Sequence, residues 1–543
     1  MEISNFIKTI MEEDLKSGKH DKIVTRFPPE PNAFLHIGHA RAIVTNFELA
    51  KAFNGDTILR FDDTNPAKEE KRFMDAIIND IKWLGYEPKR ITFGSDYFDD
   101  SYEKAVNLIK EGKAYVDDLT KDEMKEYRGT LTEPGKNSPY RDRSVEENLR
   151  LFDEMRRGLY EPGEKTLRLK IDMASSNLNM RDPAIYRIIN KEHPHTKDKW
   201  KIYPLYDYAH PLQDANEGIT HSLCSLEYVE HRPLYDWVIE NTHPIHIPRQ
   251  IEFGRLNIEG TILSKRYLKE LVDNNFVDDY DDPRMPTLVG LKRRGFTPDS
   301  IKEFVLSTGL SRINSEIPFN AIDHFLMDDL KLKANRRMAV LNPLKVTITN
   351  YPEDKIEYFD FPNNLENEEL GTRKISFSNT LYIEREDFTP VKPNNKYKRL
   401  SLGAEVRLMG AYFIKAEDVK YDENGEIVEV LATYDPNTLS GSGFNERKPQ
   451  GTISYVDQKT CKKARFNLFD NLLKDEFAPD AELKDKLNEN SLKVVYGYVE
   501  EAFDYRPEVK TQIMRNGYYS NDYDSTENEI IVNRTVSLKQ SFK

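Results

Sequence analysis

Residues 21–40 read Asp21-Lys22-Ile23-Val24-Thr25-Arg26-Phe27-Pro28-Pro29-Glu30-Pro31-Asn32-Ala33-Phe34-Leu35-His36-Ile37-Gly38-His39-Ala40. Ile23 to Phe27 is a short run rich in apolar and β-branched side chains, which predicts a buried strand. Pro28 to Asn32 predicts a rigid loop, because Pro28, Pro29 and Pro31 fix the backbone. Ile37 to Phe53 has helical spacing and stops at Asn54-Gly55. Thr57 to Phe61 predicts a second strand, and Lys68 to Leu84 a second helix closed by Gly85. This succession is the building unit of a parallel sheet covered by helices. Such a unit binds nucleotides at the carboxyl ends of its strands, where a helix N-terminus favours an anion.

The chemistry-bearing residues sit on that loop and helix start. His36 and His39 flank Gly38, and two imidazoles there can donate to phosphate oxygens while the helix dipole assists. On its own, such a pair also fits polar residues capping a buried helix. A second signal follows about 220 residues later, at Thr261-Ile262-Leu263-Ser264-Lys265-Arg266. A small polar loop carrying an ammonium can neutralise the charge that builds as pyrophosphate leaves. Ser-Lys-Arg alone is a common surface string, and its meaning comes from the pairing with the histidines in this order.

Composition narrows the class. The chain has 543 residues, 38% apolar and 32% charged, with 25 Gly and 28 Pro, so collagen-like and mostly disordered chains are excluded. No apolar run approaches the ~18 residues of a membrane span. The first 20 residues carry Glu2, Glu12, Glu13 and Asp14, unlike a secretory or organellar leader. They read as an amphipathic helix with Ile3, Phe6, Ile7, Ile10 and Met11 on one face. Two cysteines, Cys224 and Cys461, allow neither a disulfide framework nor a four-cysteine zinc site, and they suit a reducing compartment, the cytosol. The net charge of −14 argues against a general nucleic-acid coat but leaves local basic tracks open. Such tracks occur at Lys292 to Arg294, at Arg336-Arg337, at Lys396 to Arg399, and at Lys459 with Lys462, Lys463 and Arg465.

Along the chain, strand and helix signals alternate to about residue 100 and resume at 202–267, which together form an expected split α/β domain. Residues 101–201 are mixed and polar, an expected insertion. Residues 268–338 are mostly helical in period. From 339 to 543 short alternating runs, such as Lys345 to Thr349, Asn379 to Ile383, Glu405 to Ile414 and Gly451 to Val456, predict an all-β region of one large barrel or two small ones.

The two signatures resemble the HIGH and KMSKS motifs of class I aminoacyl-tRNA synthetases, within the glutamyl/glutaminyl subfamily and its glutaminyl branch. Leu59 to Pro66, Arg128 to Tyr140, Tyr203 to Tyr208, Glu217 to Cys224, Asp281 to Thr287 and Asn533 to Val536 are also family-like. They run collinearly from about Asp21 to Leu538. The resemblance implies a multidomain α/β plus all-β fold: a Rossmann-type catalytic domain, an inserted acceptor-stem domain, a helical subdomain and two C-terminal β-barrels that read the anticodon. It implies ATP-dependent ligation of L-glutamine to tRNA(Gln) through an adenylate, with magnesium carried by the ATP phosphates, no zinc, and a monomer in the cytoplasm. Bound tRNA is expected to complete the adenylating site.

Site residues follow from the same resemblance. His36, His39 and Lys265 would serve catalysis. Glu30, Pro31, Asn32, His36, Ile37, Gly38, His39, Ala40, Arg41, Ser225, Arg255, Leu256, Leu263, Ser264 and Lys265 would line the ATP site. Arg26 would hold the substrate carboxylate, Asp62 its ammonium, and Tyr206 with Cys224 its side-chain amide. The other reading of Arg26 and Asp62 is an ion pair bracing neighbouring strands, and Asp63 reads as structural. Glutamate-selecting relatives place an arginine at the position of Cys224, and a neutral thiol there suits an amide. Leu131 would open the first acceptor pair, and Arg336 and Arg407 would meet the anticodon. Met409 stands where relatives often carry a second basic residue. The competing readings are a glutamyl or non-discriminating synthetase, a small-molecule nucleotidyltransferase, and a catalytically silent tRNA-binding paralogue.

Overall fold

A computed structural model describes residues 5–66, 70–474, 476–478 and 480–538. The chain divides into two compact units, one running to Glu259 and taking in Lys302–Ile317, the other made of Gly260–Ile301 and the chain from Pro318 onward.

The first unit opens with α1 (Phe6–Lys16), started by Asn5, whose side chain accepts the N–H groups of Ile7 and Lys8. Its apolar face packs Ile7 and Met11 against Ile23, Leu223 and Phe253. Ile3 of the expected face lies outside the described residues. Strands β1 (Val24–Phe27), β2 (Asp56–Phe61) and β3 (Ile91–Phe93) pair in parallel in the order β1-β2-β3. Helices α2 (Ile37–Ala52) and α3 (Lys71–Trp83) provide the crossovers. The expected helix from Lys68 thus begins at Lys71, and Lys68 itself is not among the described residues.

An antiparallel sheet then interrupts the parallel one. After α4 (Phe98–Lys110) come β4 (Ala114–Asp117), α5 (Lys121–Arg128), α6 (Val145–Arg156), β5 (Thr166–Leu169), β6 (Ala184–Ile188) and β7 (Ile202–Pro204), with strands in the order β4-β5-β6-β7. Their core contains Phe98, Leu108, Phe152, Leu167, Tyr186 and Trp200. The chain returns through α7 (Tyr206–Glu217), β8 (His221–Ser225), α8 (Arg232–Thr242) and β9 (Arg249–Phe253). β8 and β9 are parallel, and Thr220 N–H donates to Val24 O at 3.0 Å, which joins β8 to β1. The carboxyl ends of β1, β2 and β8 therefore converge. β10 (Leu256–Glu259) pairs with β11 (Ser315–Pro318), a strand inside a region whose spacing predicts helix.

The second unit contains α9 (Lys265–Asp273), α10 (Leu288–Arg294), the helix Ile322–Lys333 and two seven-stranded sheets. In one sheet the two edge strands are Asn335–Arg337 and Ala339–Val340, neighbours in sequence across Met338. In the other they are Thr452–Ile453 and Val456–Asp457. A single short segment that pairs with both edges closes each sheet on itself, so no long edge is left unpaired. The sequence leaves one barrel or two open, and the structure has two closed sheets, the first with Phe466, Tyr519 and Val532 in its core and the second with Val346, Phe377 and Tyr455.

Candidate active site

His36 is the N-cap of α2. Its Nδ1 accepts the Gly38 N–H at 3.1 Å, and the Nδ1 of His39 accepts the His36 N–H at 3.1 Å. The rings lie 3.8 Å apart between centroids. Because each Nδ1 is an acceptor, a neutral ring carries its proton on Nε2. The helix cap thus fixes the tautomer of both imidazoles and makes each Nε2 a donor at the positive end of α2. The preceding loop is tied to β2 by Asp62 N–H donating to Pro29 O at 3.0 Å, and Asn32 donates to Glu30 within the loop.

Several expected nucleotide-lining residues serve the fold through their side chains. Ile37 and Ala40 are fully buried and Leu256 nearly so, so they can meet a ligand only through backbone. Arg41 is buried, and its guanidinium donates to Thr308 Oγ1 (3.0 Å), Ser315 Oγ (3.4 Å) and Gly309 O (2.8 Å). That ties α2 to the 308–315 segment rather than offering a charge to phosphate. Ser225 and Arg255 do come together, both donating to the Glu227 carboxylate. In the other unit, Ser264 is the N-cap of α9 and Lys265 its first residue, with Ile262 packed against Leu268 and Leu271.

The expected amino-acid site is a small cleft lined by Pro28, Arg60, Asp62, Tyr206, Ala209, His210 and Gln213. Asp62 accepts the Thr64 hydroxyl at 2.9 Å, and burial together with the nearby Glu30 raises its carboxyl pKa against those hydrogen bonds. Tyr206 lies on Tyr228 and His210, with ring centroids 5.3 and 4.9 Å away. Burial keeps its hydroxyl protonated, able both to donate and to accept.

Arg26 departs from expectation. Its guanidinium is 1% exposed and donates from Nε to Asp214 Oδ1 (3.0 Å), from Nη1 to Leu223 O (2.8 Å), and from Nη2 to His210 Nε2 and Cys224 Sγ (3.4 Å). Its ionic partner is Asp214 on α7, not Asp62. Arg60 donates to the same Asp214 oxygen at 2.7 Å and to Glu217 at 2.7 Å, so two guanidiniums and two carboxylates form one buried, balanced group. Ser222 and Tyr235 donate to the second Asp214 oxygen at 2.6 and 2.9 Å. The two arginines hold the Asp214 carboxyl well below its ordinary value despite burial. His210 Nε2 lies between the Arg26 guanidinium and Asp214 Oδ2, the latter at 3.0 Å, and burial lowers its pKa. Burial raises the Cys224 thiol, which stays neutral. Asp63 is structural: Ser95 N–H and Oγ donate to it, and burial pushes its carboxyl up to about 7.

Leu131 sits at a loop tip with 79% of its surface exposed. Both anticodon candidates have partners within the fold. Arg336 pairs with Glu366 at 2.6 Å, while Arg407 donates to Ala411 O and Thr438 O and stacks 4.2 Å over Phe413. The basic track at Lys463 and Arg465 lines a groove of about 460 Å³ with Tyr496 and Tyr498, and Tyr496 is 72% exposed. Among the described residues, Asp14, His20 and His221 bring possible metal-ligating atoms within 4.8 Å of one another. Both Asp14 oxygens, however, take Arg249 at 3.0 Å, and that cation leaves a metal ion no favourable place.

A family model described as tRNA synthetases class I (E and Q), catalytic domain, matches residues 22–332, and two described as anti-codon binding domain match 334–435 and 452–522. The chain belongs to the class I tRNA synthetases of the E and Q type. A Glutamine--tRNA ligase of Clostridium perfringens is 54% identical over 99% of this chain and 98% of its own length. Proteins of the same name from Clostridioides difficile and Pseudomonas syringae are 53% and 50% identical, each over 99% of this chain and over 98% and 96% of their own lengths. A solved glutamate tRNA ligase of Elizabethkingia meningosepticum is 17% identical, with a TM-score of 0.42 over 58% of this chain and 70% of its own.

Sequence reasoning missed Asp214, Glu217, Arg60 and Glu227 in this synthetase. A signal for the first two exists: His210, Asp214 and Glu217 fall at i, i+4 and i+7, one face of a helix most of whose other positions are also buried.

Proposed function

We propose that the chain ligates L-glutamine to tRNA(Gln). The glutamine carboxylate attacks the α-phosphorus of ATP, pyrophosphate leaves, and a ribose hydroxyl at the tRNA 3′ end then attacks the acyl carbon and releases AMP. The full-length similarity to proteins named Glutamine--tRNA ligase, at 48–54% identity, carries this reading. The cleft supports it. Tyr206 can serve both ends of an amide, and the buried Arg26 and Cys224, in contact with the cleft through His210, leave no net charge there because Asp214 balances the guanidinium.

No side-chain nucleophile is required, since positioning and charge stabilisation suffice for in-line adenylation. In this reading the Nε2–H groups of His36 and His39 donate to the triphosphate, and the Lys265 ammonium offsets charge on the departing pyrophosphate. Glu30, Pro31, Asn32 and the backbone of residues 37–41 shape the nucleotide site with Ser225, Arg255, Leu256, Leu263 and Ser264. Magnesium rides on the phosphates, and zinc takes no part. Asp62 takes the substrate ammonium, while Arg26, its charge balanced by Asp214, supports the cleft through His210. Residues 101–201 receive the acceptor stem, with Leu131 as a wedge at its first pair, 268–338 form the helical subdomain, and 339–543 bind the anticodon arm. There the Lys463–Arg465–Tyr496 groove offers stacking and phosphate contacts, in preference to Arg336 and Arg407. No helix among the described residues is long and apolar enough to cross a membrane. We place the enzyme in the cytoplasm as a monomer.

ATP–pyrophosphate exchange, run with glutamine and with glutamate and with and without tRNA, tests the proposal. Exchange that needs glutamine and tRNA together supports it. Exchange with glutamate assigns the chain to the glutamyl branch, and none with either leaves an RNA-binding protein.

A further inference from the structure

The loop that carries Leu131 is organised around one buried arginine. α5 ends at Arg128, and Gly129 turns the chain at φ +71°, where a Cβ would lie 2.7 Å from Pro134 O and 2.8 Å from Glu133 O. From beneath, Arg181 Nη1 donates to Arg128 O (2.8 Å), Thr130 O (2.9 Å) and Glu133 O (2.9 Å), while its Nε holds Ser175 O at 2.6 Å. Arg181 is 3% exposed. Three carbonyl dipoles converging on one point repel one another unless a cation sits among them, so this loop shape depends on that guanidinium. The arginine is itself aimed by its neighbour. Asp182 adopts φ +41°, costly for a residue with a side chain, and is held there by Ile171 N–H (2.8 Å), Arg141 Nε (2.6 Å) and the Tyr115 hydroxyl (3.1 Å).

The loop closes its own hydrogen bonds as well. Thr130 Oγ1 accepts from the N–H groups of Thr132 (3.3 Å) and Glu133 (3.1 Å). The Leu131 side chain between these anchors projects into solvent. An apolar tip on a backbone fixed this firmly is built for an apolar surface delivered by a partner, and the face of a terminal RNA base pair is such a surface.

We propose that Arg181 is a positioning residue for opening the acceptor end of the tRNA: by capping the three carbonyls it presents Leu131 as a rigid wedge. The inference rests on the reading of Leu131 given above. A softer tip loses its leverage against a stable terminal pair and matters little where that pair is already broken.

Arg181→Lys keeps the charge but loses the Nε–H that holds Ser175 O, and its shorter side chain ends one bond before the Nη1 position that meets the three carbonyls. Gly129→Ala strains the same loop while leaving Arg181 in place. Each is assayed in single-turnover charging on transcripts whose terminal pair is a strong pair, a weak pair or a mismatch. Leu131→Ala is run beside them. The expected result is a loss of about tenfold or more on the strong pair, within about twofold of the parent enzyme on the mismatch, for all three variants, with Leu131→Ala/Arg181→Lys no worse than either single change. If Leu131→Ala depends on pair strength and both loop variants do not, the Arg181 role is overturned and the wedge stands. If Leu131→Ala is itself indifferent to pair strength, the wedge fails and the inference with it. An equal loss on every transcript makes Arg181 a stabilising residue only and also overturns the proposal.

Discussion

The guanidinium of Arg26 rests on the sulfur of Cys224, with 3.4 Å between Nη2 and Sγ. Reading Cys224 alone suggests a pocket wall with no cation in it. The structure reaches neutrality differently: a full positive charge lies behind the thiol and is cancelled by Asp214. An uncharged amide leaves this balanced group undisturbed, whereas a γ-carboxylate would compete with Asp214 for the guanidiniums of Arg26 and Arg60.

Replacing the thiol by a second guanidinium upsets that balance. Cys224→Arg sets two like charges against each other in a buried site where Arg26 already uses the available carboxylate. kcat/KM for glutamine is expected to fall by about 10- to 200-fold, the range for about 1–3 kcal/mol of misfit in a specificity pocket. Steady-state charging with glutamine and glutamate measures it, and unchanged glutamine kinetics would remove Cys224 from the substrate's surroundings.

Asp214→Asn removes one of two carboxylates from a group that also contains Arg26 and Arg60. Breaking a buried pair on one side costs about 3–5 kcal/mol, so thermal unfolding should move sharply downward while Ser222→Ala and Tyr235→Phe, each deleting one hydrogen bond to Asp214, cost about 1–2 kcal/mol. Because the folded state holds the Asp214 carboxyl below its ordinary value, its contribution is present above the unfolded pKa and is lost as pH falls through the folded one. The parent protein should therefore lose stability in strong acid, and Asp214→Asn should lose less there.

Burial lowers the His221 pKa from 6.5 to about 4, opposed by Asp14 and assisted by His20 and Lys19. The ring contacts Thr220 Oγ1 at 2.9 Å and Asp14 Oδ2 at 3.1 Å, and Arg249 holds the far side of Asp14. The folded state resists a proton that the unfolded state accepts, so stability falls as pH drops from about 6.5 to about 4 and then levels. The span is worth about 3 kcal/mol at 1.36 kcal/mol per unit. Urea midpoints between pH 7 and 4 should show this slope, and His221→Asn should flatten it. A slope that survives the substitution would assign it to other groups.

Much of the catalytic fold is legible in the sequence because its signals are local. Ile23 to Phe27 against the observed Val24–Phe27, and Ile37 to Phe53 against Ile37–Ala52, differ by one residue. What fails is what depends on distant partners. Arg26 is expected at the substrate carboxylate or, in the other reading, paired with Asp62, yet the acid that holds it lies 188 positions away, on a helix whose apolar surroundings hide the pattern. Glu405 to Ile414 reads as one strand, but the chain turns at Gly410 (φ +74°), and Glu405–Leu408 folds back on Phe413–Tyr421. The strands that close the two C-terminal sheets are two or three residues long, too short for any period. Arg336 and Arg407 are basic residues at expected positions, and only the structure reveals that Glu366 and backbone carbonyls already hold them.

A second basic groove of the C-terminal sheets offers tRNA another surface beside Arg336 and Arg407. Arg465 lies opposite Tyr496, and Lys463 opposite Tyr498, in one antiparallel pair, so two cations and two rings alternate across neighbouring strands. Tyr498 is already occupied, stacked on Tyr382 at 4.6 Å, whereas Tyr496 turns a free face to solvent beside the groove. A stacked base is worth about 1–3 kcal/mol, so Tyr496→Ala should raise the KM for tRNA by about 5- to 160-fold, and Tyr496→Phe, which keeps the ring, should restore it. Lys463→Ala should weaken tRNA binding less, and mainly by reducing its salt dependence, as expected of a phosphate contact. At saturating tRNA the KM for glutamine should be unchanged in all three, because no residue of the amino-acid cleft has been altered. If Tyr496→Ala leaves the KM for tRNA as it was, no base stacks there, and the anticodon arm must be read from another face of these two sheets.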